Sequence, residues 1–531
     1  MSPWIPAFAG MSGMDAMVRA GSTVIAAVFW LLIAVAPSPA VDLRFGVDNP
    51  DLGKLDPHAT VVSGDRYIIQ SIFSGLVRFK PGSGDVRQIE PDLAETWESS
   101  PDGKVWTFRL RGGVKWHHGY GEVTAEDVVF SLERAANKET SSFASDYTAF
   151  DKVEAVDPYT VRITLKEVVP SLLGLVVNSL GGNIVCKKAA QELGPGYAQK
   201  PIGSGPFMFQ EYKPQHSVTL AANPDYFRGK PKLDRVIFRY IQSQGSRDLA
   251  LRSGELDITG GALGQDWIDR TRKLSGIKVD TPGLPEIWWL FLDQTSKPLD
   301  DIRVRQAVAH AVDRAGLISF RGEASHRPAR SVVPASHAGF TADVPLLQRD
   351  VAKAKALLAE AGFANGITLK VVNTNRPSLR EVIEVLQSQL RQAGINLDIE
   401  LVDHATYHAR IRKNQSQAVL YGANRFPVAD STLTQFFHSR STVGTPTAIT
   451  NFSHCKVADD EIDAARVATD PKKQDELWRS AQQKVLADVC AVPLMEVLYT
   501  WARREKVDYG YELKDTPSGG PLITEDTRIA P

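Results

Sequence analysis

His404 and His408 stand four residues apart, a spacing that puts two imidazoles on one helix face and makes them a candidate metal pair. No third ligand follows within reach, so two solvated histidines among basic neighbours are the plainer alternative. His117-His118 follows a strand pattern and precedes Gly119, where a loop position serves as well as a ligand role. Gly203-Ser204-Gly205 carries two of the three glycines of a dinucleotide fingerprint, but Pro206 follows and no helix pattern starts there, so a tight turn is expected. The chain has no G-x-S-x-G elbow, no H-E-x-x-H and no phosphate loop ending in Gly-Lys-Ser/Thr. Their absence lowers the enzyme reading without excluding it, and no catalytic residue, metal or cofactor is expected. Its aromatic cluster is Trp288-Trp289 with Phe291. In alternating strand positions one indole must face away from the core, and that face can line a ligand cleft.

The elements that must position these residues read as α/β. Trp106, Phe108 and Leu110 alternate with polar residues, as do Val161, Ile163 and Leu165, which marks two half-buried strands. Thr124 followed by Asp127 is a capping box, and Val128, Val129, Leu132, Ala135 and Ala136 form the apolar face of the helix it opens. A helix over 302–318 begun by Asp300 or Asp301, and another over 351–361 stopped by Gly362, are expected. Residues 367–372 read as a strand. Leu379, Val382, Ile383, Leu386 and Leu390 then form a helix face ended by Gly394, and Leu397, Ile399 and Leu401 begin the next strand, which makes a βαβ unit.

The chain has 531 residues, enough for several cores, with 43% hydrophobic and 23% charged residues, so disorder is excluded. Lys and Arg number 61 against 62 acidic residues, which lacks the basic excess that nucleic-acid binding needs. Residues 24–35 are an uninterrupted apolar run, too short to cross a bilayer but suited to an export signal. Arg19 supplies its positive end, Ser38 and Ala40 give small side chains at the cut, and Val41 is the expected mature first residue. The neutral stretch before it places the true start at Met14 or Met17. No cysteine stands at the cut for a lipid anchor. A soluble periplasmic protein follows. There, Cys455 and Cys490 can form a disulfide, leaving Cys186 over; three free buried thiols are the alternative.

The blocks Asp92-Leu93-Ala94-Glu95-Thr96-Trp97, Val105-Trp106-Thr107-Phe108-Arg109-Leu110-Arg111-Gly112-Gly113-Val114-Lys115-Trp116-His117 and Thr124-Ala125-Glu126-Asp127-Val128-Val129-Phe130-Ser131-Leu132 resemble the extracellular solute-binding proteins of family 5. The likeness continues through Pro201-Ile202-Gly203-Ser204-Gly205-Pro206-Phe207, Asn223-Pro224-Asp225-Tyr226-Phe227-Arg228-Gly229 and Asp301-Ile302-Arg303-Val304-Arg305-Gln306-Ala307-Val308, and so covers nearly all of the mature chain. These proteins are the dipeptide, oligopeptide and nickel binders of ABC importers.

The resemblance implies the two-lobed periplasmic-binding-protein fold, type II, with an extra domain in the larger lobe and a hinge of two crossing strands. On this chain it places a signal peptide at 1–40, lobe 1 at 41–284 with the accessory domain at about 76–200, lobe 2 at 285–489, and the return to lobe 1 at 490–531. The crossings are expected near 285–292 and 490–498. It also implies a monomer that captures a peptide or an acid-bearing solute between its lobes and delivers it to a membrane permease. A secreted hydrolase, or a metal- or haem-binding protein on the same fold, is the alternative.

Members that bind peptides pair the ligand carboxylate with an Arg just before a Pro, and Arg376-Pro377 stands at that place. A planar two-donor fork suits a carboxylate. Peptide binders also hold the ligand ammonium with an Asp in a lobe-2 loop that here reads Gly422-Ala423-Asn424-Arg425-Phe426-Pro427-Val428-Ala429-Asp430. Arg425 precedes the aromatic where that Asp is expected; Asn424 takes its place if the loop is one residue shorter, and Asp430 either takes over the ammonium or caps the following helix. The expected ligand contacts are thus Arg376, Arg425, Asn424, Phe426, Asp430, Trp288 and Trp289, and the ligand is expected to be acidic without needing a free α-ammonium.

Overall fold

The computed structural model describes residues 40–530, apart from 61, 170–171, 175–179, 263, 284–285, 445–449 and 517–518. The expected export signal lies outside the described residues.

Lobe 1 is built on a seven-stranded sheet of β1 (Asp42–Val47), β8 (Phe207–Lys213), β9 (Ser217–Ala222), β10 (Arg235–Tyr240), β11 (Ile258–Gly260), β12 (Ile277–Asp280) and β19 (Trp501–Arg504), in the order β12-β19-β11-β1-β10-β9-β8. β1 runs parallel to both β10 and β11, so their C-terminal ends share one edge. Helix α1 (Ser63–Ile72) follows β1. The Gly203-Ser204-Gly205 segment is irregular rather than a tight turn and bends at Gly205 against the end of α1, with the Gly205 N–H donating to the Ile72 carbonyl at 2.8 Å.

A second body of lobe 1 carries the small pair β2 (Val77–Phe79) and β3 (Ile89–Pro91). It also carries an antiparallel sheet of β4 (Ala94–Ser99), β5 (Val105–Leu110), β6 (Phe150–Asp157) and β7 (Thr160–Leu165), ordered β4-β5-β7-β6. Both alternating runs read from the sequence are strands here, with Phe108, Leu110, Val161 and Ile163 turned into the core. Helix α2 (Ala125–Ala136) has the expected capping box of Thr124 and Asp127, a pair that satisfies two backbone donors at the helix start. His117 is buried in a turn, its Nε2 3.0 Å from the Gly205 carbonyl, which is a packing role.

Lobe 2 holds β13 (Glu286–Leu292), β14 (His326–Pro328), β17 (Ala418–Ala423) and β18 (Ala491–Val497) in the order β14-β18-β13-β17. Beside β17 stands the parallel pair β15 (Ile367–Thr374) and β16 (Ile395–Val402). The helix expected over 302–318 is two helices, α3 (Ile302–Ala311) and α4 (Arg314–Arg321). Val312 turns extended between them, and the Asp313 side chain accepts from the Gly316 N–H to start the second, so an internal cap outcompetes the continuous apolar face. α5 (Val351–Glu360) feeds β15. α6 (Pro377–Arg391) joins β15 to β16 as the sequence requires, with Leu379, Val382, Ile383, Leu386 and Leu390 all buried. Each such side chain contributes roughly 1.5–3 kcal/mol. α7 (His404–Arg412) and α8 (Ala429–Phe437) complete the wall around the cleft.

β12 ends at Asp280 and β13 begins at Glu286, and the chain passes from β18 to β19 over 498–500. β13 and β18 pair with each other over their length, so both belong to lobe 2 and the crossings lie at their ends. β18 stays paired with β13 to its last residue, where Val497 faces Glu286. At the far end of β18, Cys455 and Cys490 form a disulfide with a Cα–Cα distance of 5.7 Å, and Cys186 is free and buried.

Candidate ligand-binding cleft

Antiparallel pairing puts the first residue of β13, the last residue of β18 and the end of β17 on one edge of lobe 2: Glu286 faces Val497, and Ile287 faces Ala423. The loops after β15 and β16 add Arg376 and His404 to the same neighbourhood. Arg376 is the N-cap residue of α6, with Pro377 at its first position, so the guanidinium projects from an exposed helix start with no side-chain partner among the described residues. Asn424, Arg425 and Phe426 leave the end of β17. C-terminal strand edges are where open α/β sheets place ligands, because the loops and helix starts converge there.

Glu286 ties the cluster together. It is half-buried, and burial pushes its carboxyl above the usual range. The Trp288 indole and the Arg376 and Arg425 charges offset that only in part. The Trp288 N–H lies beside the carboxylate but reaches no hydrogen-bond geometry, so its influence is that of a nearby dipole. Gly422 makes this contact possible, since a Cβ there would overlap both the Glu286 carboxylate and the Trp288 ring.

Arg425 is half-buried and held in place. Its Nε donates to the Gln435 side chain, its Nη1 donates to the Asn424 carbonyl at 3.0 Å, and its guanidinium lies 5.0 Å from the Phe436 ring centre. From this position its charge acts on Glu286 and also on Asp146 of lobe 1, whose carboxyl burial pushes up and Arg425 pulls down. Neither Arg376 nor Arg425 has a carboxylate within ion-pair distance among the described residues.

Lobe 1 contributes the start of α1. Arg66 is half-buried with its Nε unpartnered, and its charge acts on Tyr67 and on Tyr499 in the second crossing. Burial and the Glu286 charge push the Tyr499 phenol up, against the Asn424 amide and Arg66. On one flank an open groove of about 1000 Å³ runs between the lobe-1 helix Gln265–Arg272 and residues 319–324 of lobe 2. Glu381 on its wall lies one turn into α6 from Arg376. A more enclosed cavity, of about 110 Å³, lies within lobe 1. The ion pairs Arg78–Glu525 and Arg228–Asp92 form part of its wall, and it shares only Phe79 with the cleft surroundings.

The charges of Arg376 and Arg425 reach Glu286, beside which Trp288 stands, and Asn424 and Phe426 flank Arg425 along the chain, while Trp289 and Asp430 are spent inside the fold. Trp289 is fully buried, donates its N–H to the Val332 carbonyl at 3.1 Å and packs on Phe291, Phe436 and Phe437. Its neighbour is nearly as hidden, because helices cover both faces of this sheet and neither indole faces open solvent. Asp430 is 4% exposed, sits in the first turn of α8 and pairs with Arg466 at 3.2 Å, so it braces lobe 2.

His404 and His408 do meet, Nε2 to Nε2 at 3.2 Å, with His404 Nδ1 3.3 Å from the Thr374 hydroxyl. Burial and the Arg376 charge depress His404, and burial, His404 and two arginines bring His408 to about 4. Among the described residues no group of three or more His, Cys, Asp or Glu is placed to hold a metal ion. Sequence reasoning missed Glu286, Tyr499, Asp146 and Arg66. Only Glu286 left a signal, as the one charged residue opening an otherwise apolar strand.

Residues 88–443 match the family described as bacterial extracellular solute-binding proteins, family 5 middle. The chain is 30% identical over 452 residues to the dipeptide-binding protein of Escherichia coli K12, covering 79% of this chain and 83% of that one. Among solved structures it is similar to MoaA from A. tumefaciens R10 in complex with mannopinic acid, with 48% identity, TM-score 0.79, and 93% of this chain and 100% of that chain covered. It is also similar to AgaA from the same source in complex with agropinic acid, with 26% identity, TM-score 0.74, and 92% and 99% covered.

Proposed function

Because the chain belongs to the bacterial extracellular solute-binding proteins of family 5, we propose that its cleft captures a carboxylate-bearing solute of the opine-acid kind in preference to a free dipeptide. The protein is the substrate-binding component of an ABC importer, and its relatives are periplasmic binding proteins that work with membrane permeases. In our reading this chain acts there as a soluble monomer beginning at Val41 and presents its loaded, closed form to the permease.

The observation that carries the proposal is the pair Arg376 and Arg425, two guanidinium groups at the cleft edge with no carboxylate in ion-pair contact among the described residues. Each has free N–H donors, and a planar fork binds a carboxylate through two parallel hydrogen bonds. Where peptide binders offer an Asp for the ammonium, this loop offers Arg425, and Asp430 is committed to Arg466. Two neighbouring positive charges repel, and an anion between them relieves that repulsion. The likeness to two proteins solved with mannopinic and agropinic acid supports the same class.

Calorimetric titration with mannopinic acid, agropinic acid, a dipeptide and its N-acetyl form tests this. Binding of at least one opine acid, tighter than the dipeptide, is expected. Tight binding of the free dipeptide, weakened tenfold or more by acetylation, with no binding of either acid would refute it.

A further inference from the structure

We infer that Glu286 receives a protonated amine of the solute, so that the ligand is a zwitterion whose carboxylates go to the arginines and whose cationic nitrogen goes to the floor of the cleft. The inference rests on the reading that an acid-bearing solute occupies this cleft. Glu286 opens β13 where the first crossing enters lobe 2, opposite Val497 and beside Gly422. It is half-buried, and among the described residues no Lys or Arg lies within ion-pair distance of its carboxylate. Arg376 and Arg425 act on it only through space, and the Trp288 N–H stands beside it without bonding.

A carboxylate drawn out of water without a hydrogen-bonded cation is unfavourable, and a cationic ligand atom there removes that cost. The loop that carries an Asp for this purpose in peptide binders carries Arg425 instead, and Glu286 restores the missing negative charge from a different strand. Two arginines and one glutamate leave one net positive charge, which an amino acid derivative with two carboxylates and one protonated amine neutralises. A secondary amine satisfies this site as well as a primary one, since one N–H suffices.

The test compares wild type with Glu286→Gln by calorimetry, using mannopinic acid, whose amine is protonated, and glutaric acid, a diacid without one. The variant is expected to bind mannopinic acid at least tenfold more weakly and glutaric acid within twofold of wild type, with retained diacid binding serving as the fold control. Equal losses for the two acids, or none, overturn the inference. If wild type binds neither acid but binds the dipeptide Ala-Ala, the acid-solute reading fails on its own. Glu286 is then judged on Ala-Ala against N-acetyl-Ala-Ala: a tenfold loss confined to the free amine upholds its role, and an equal loss overturns it. Binding of none of these probes overturns both.

Discussion

Phe426 of lobe 2 packs against Gly174 of lobe 1 so closely that a methyl group at position 174 would overlap its ring, and its centroid lies 5.9 Å from that of Phe79. The aromatic thus makes a contact between the two lobes. Small-angle scattering of Gly174→Val and Phe426→Ala, each with saturating ligand, is expected to show less compaction than wild type. Affinity should fall severalfold, because a solute that closes the lobes must bind the closed state more tightly. Wild-type compaction in both variants would show that the contact plays no part in closure.

Arg376 is exposed and has no side-chain partner among the described residues, so its loss touches function more than stability. Arg376→Ala is expected to weaken the solute by about 1.5–3 kcal/mol, the worth of a hydrogen bond to a charged group, which is roughly ten- to a hundredfold. Arg376→Lys keeps the charge but not the fork and should recover only part of it. The melting temperature of both variants should stay close to wild type.

The Cys455–Cys490 disulfide closes a loop with a sequence separation of 35. Loop closure of that size restricts the unfolded chain by about 4 kcal/mol in the chain-entropy estimate. It sits at the end of β18 away from Glu286, roughly six residues or 20 Å along the strand. Replacing both cysteines by serine is expected to lower urea-derived stability by about 2–4 kcal/mol and to leave solute affinity within twofold.

His337 is 4% exposed with neither ring nitrogen hydrogen-bonded among the described residues, and burial lowers its pKa to about 3. The unfolded imidazole takes up its proton near pH 6.5 while the folded one does not. Its contribution to stability is therefore full above about 6.5, declines as pH falls, and levels off below about 3. Between pH 7.5 and 5 this amounts to about 2 kcal/mol. His337→Phe should lose that much less than wild type over the same interval in urea titrations, and parallel pH profiles would count against a neutral buried imidazole.

The Val41 N–H donates to the Asp234 carboxylate at 2.9 Å, and the Val41 carbonyl accepts from the Asp234 N–H. With export cleavage after Ala40 that nitrogen becomes a terminal ammonium paired to Asp234. N-terminal sequencing of periplasmic extract is expected to begin at Val41. Asp234→Asn should cost under about 1 kcal/mol, as for other exposed pairs.

What the sequence determined by itself was local or cumulative. The capping box of α2 and the βαβ unit of β15, α6 and β16 stood in residue types and short spacings, whereas the disulfide was one of two readings that the sequence left open. Hydrophobic period and caps depend on neighbours within one or two turns, so they survive reading along a line. The same reading joined α3 and α4, because Val312 fits an apolar face and only the Asp313 cap shows that the chain bends there.

The cleft was decided by tertiary structure. Glu286, Arg376, Arg425, Tyr499, Asp146 and Arg66 come from segments far apart in the chain, and strand register together with the two crossings brings them to one place. Register also ruled on residues that the sequence could not rank. Trp289 and Trp288 are adjacent, yet one fills the core against Phe436 while the other stands beside Glu286. Asp430 had the right charge for a ligand but lay within reach of Arg466. A side chain's chemistry is written in its type; whether that chemistry is spent inside the fold or left open to a solute depends on which partners the packing brings within a few ångströms.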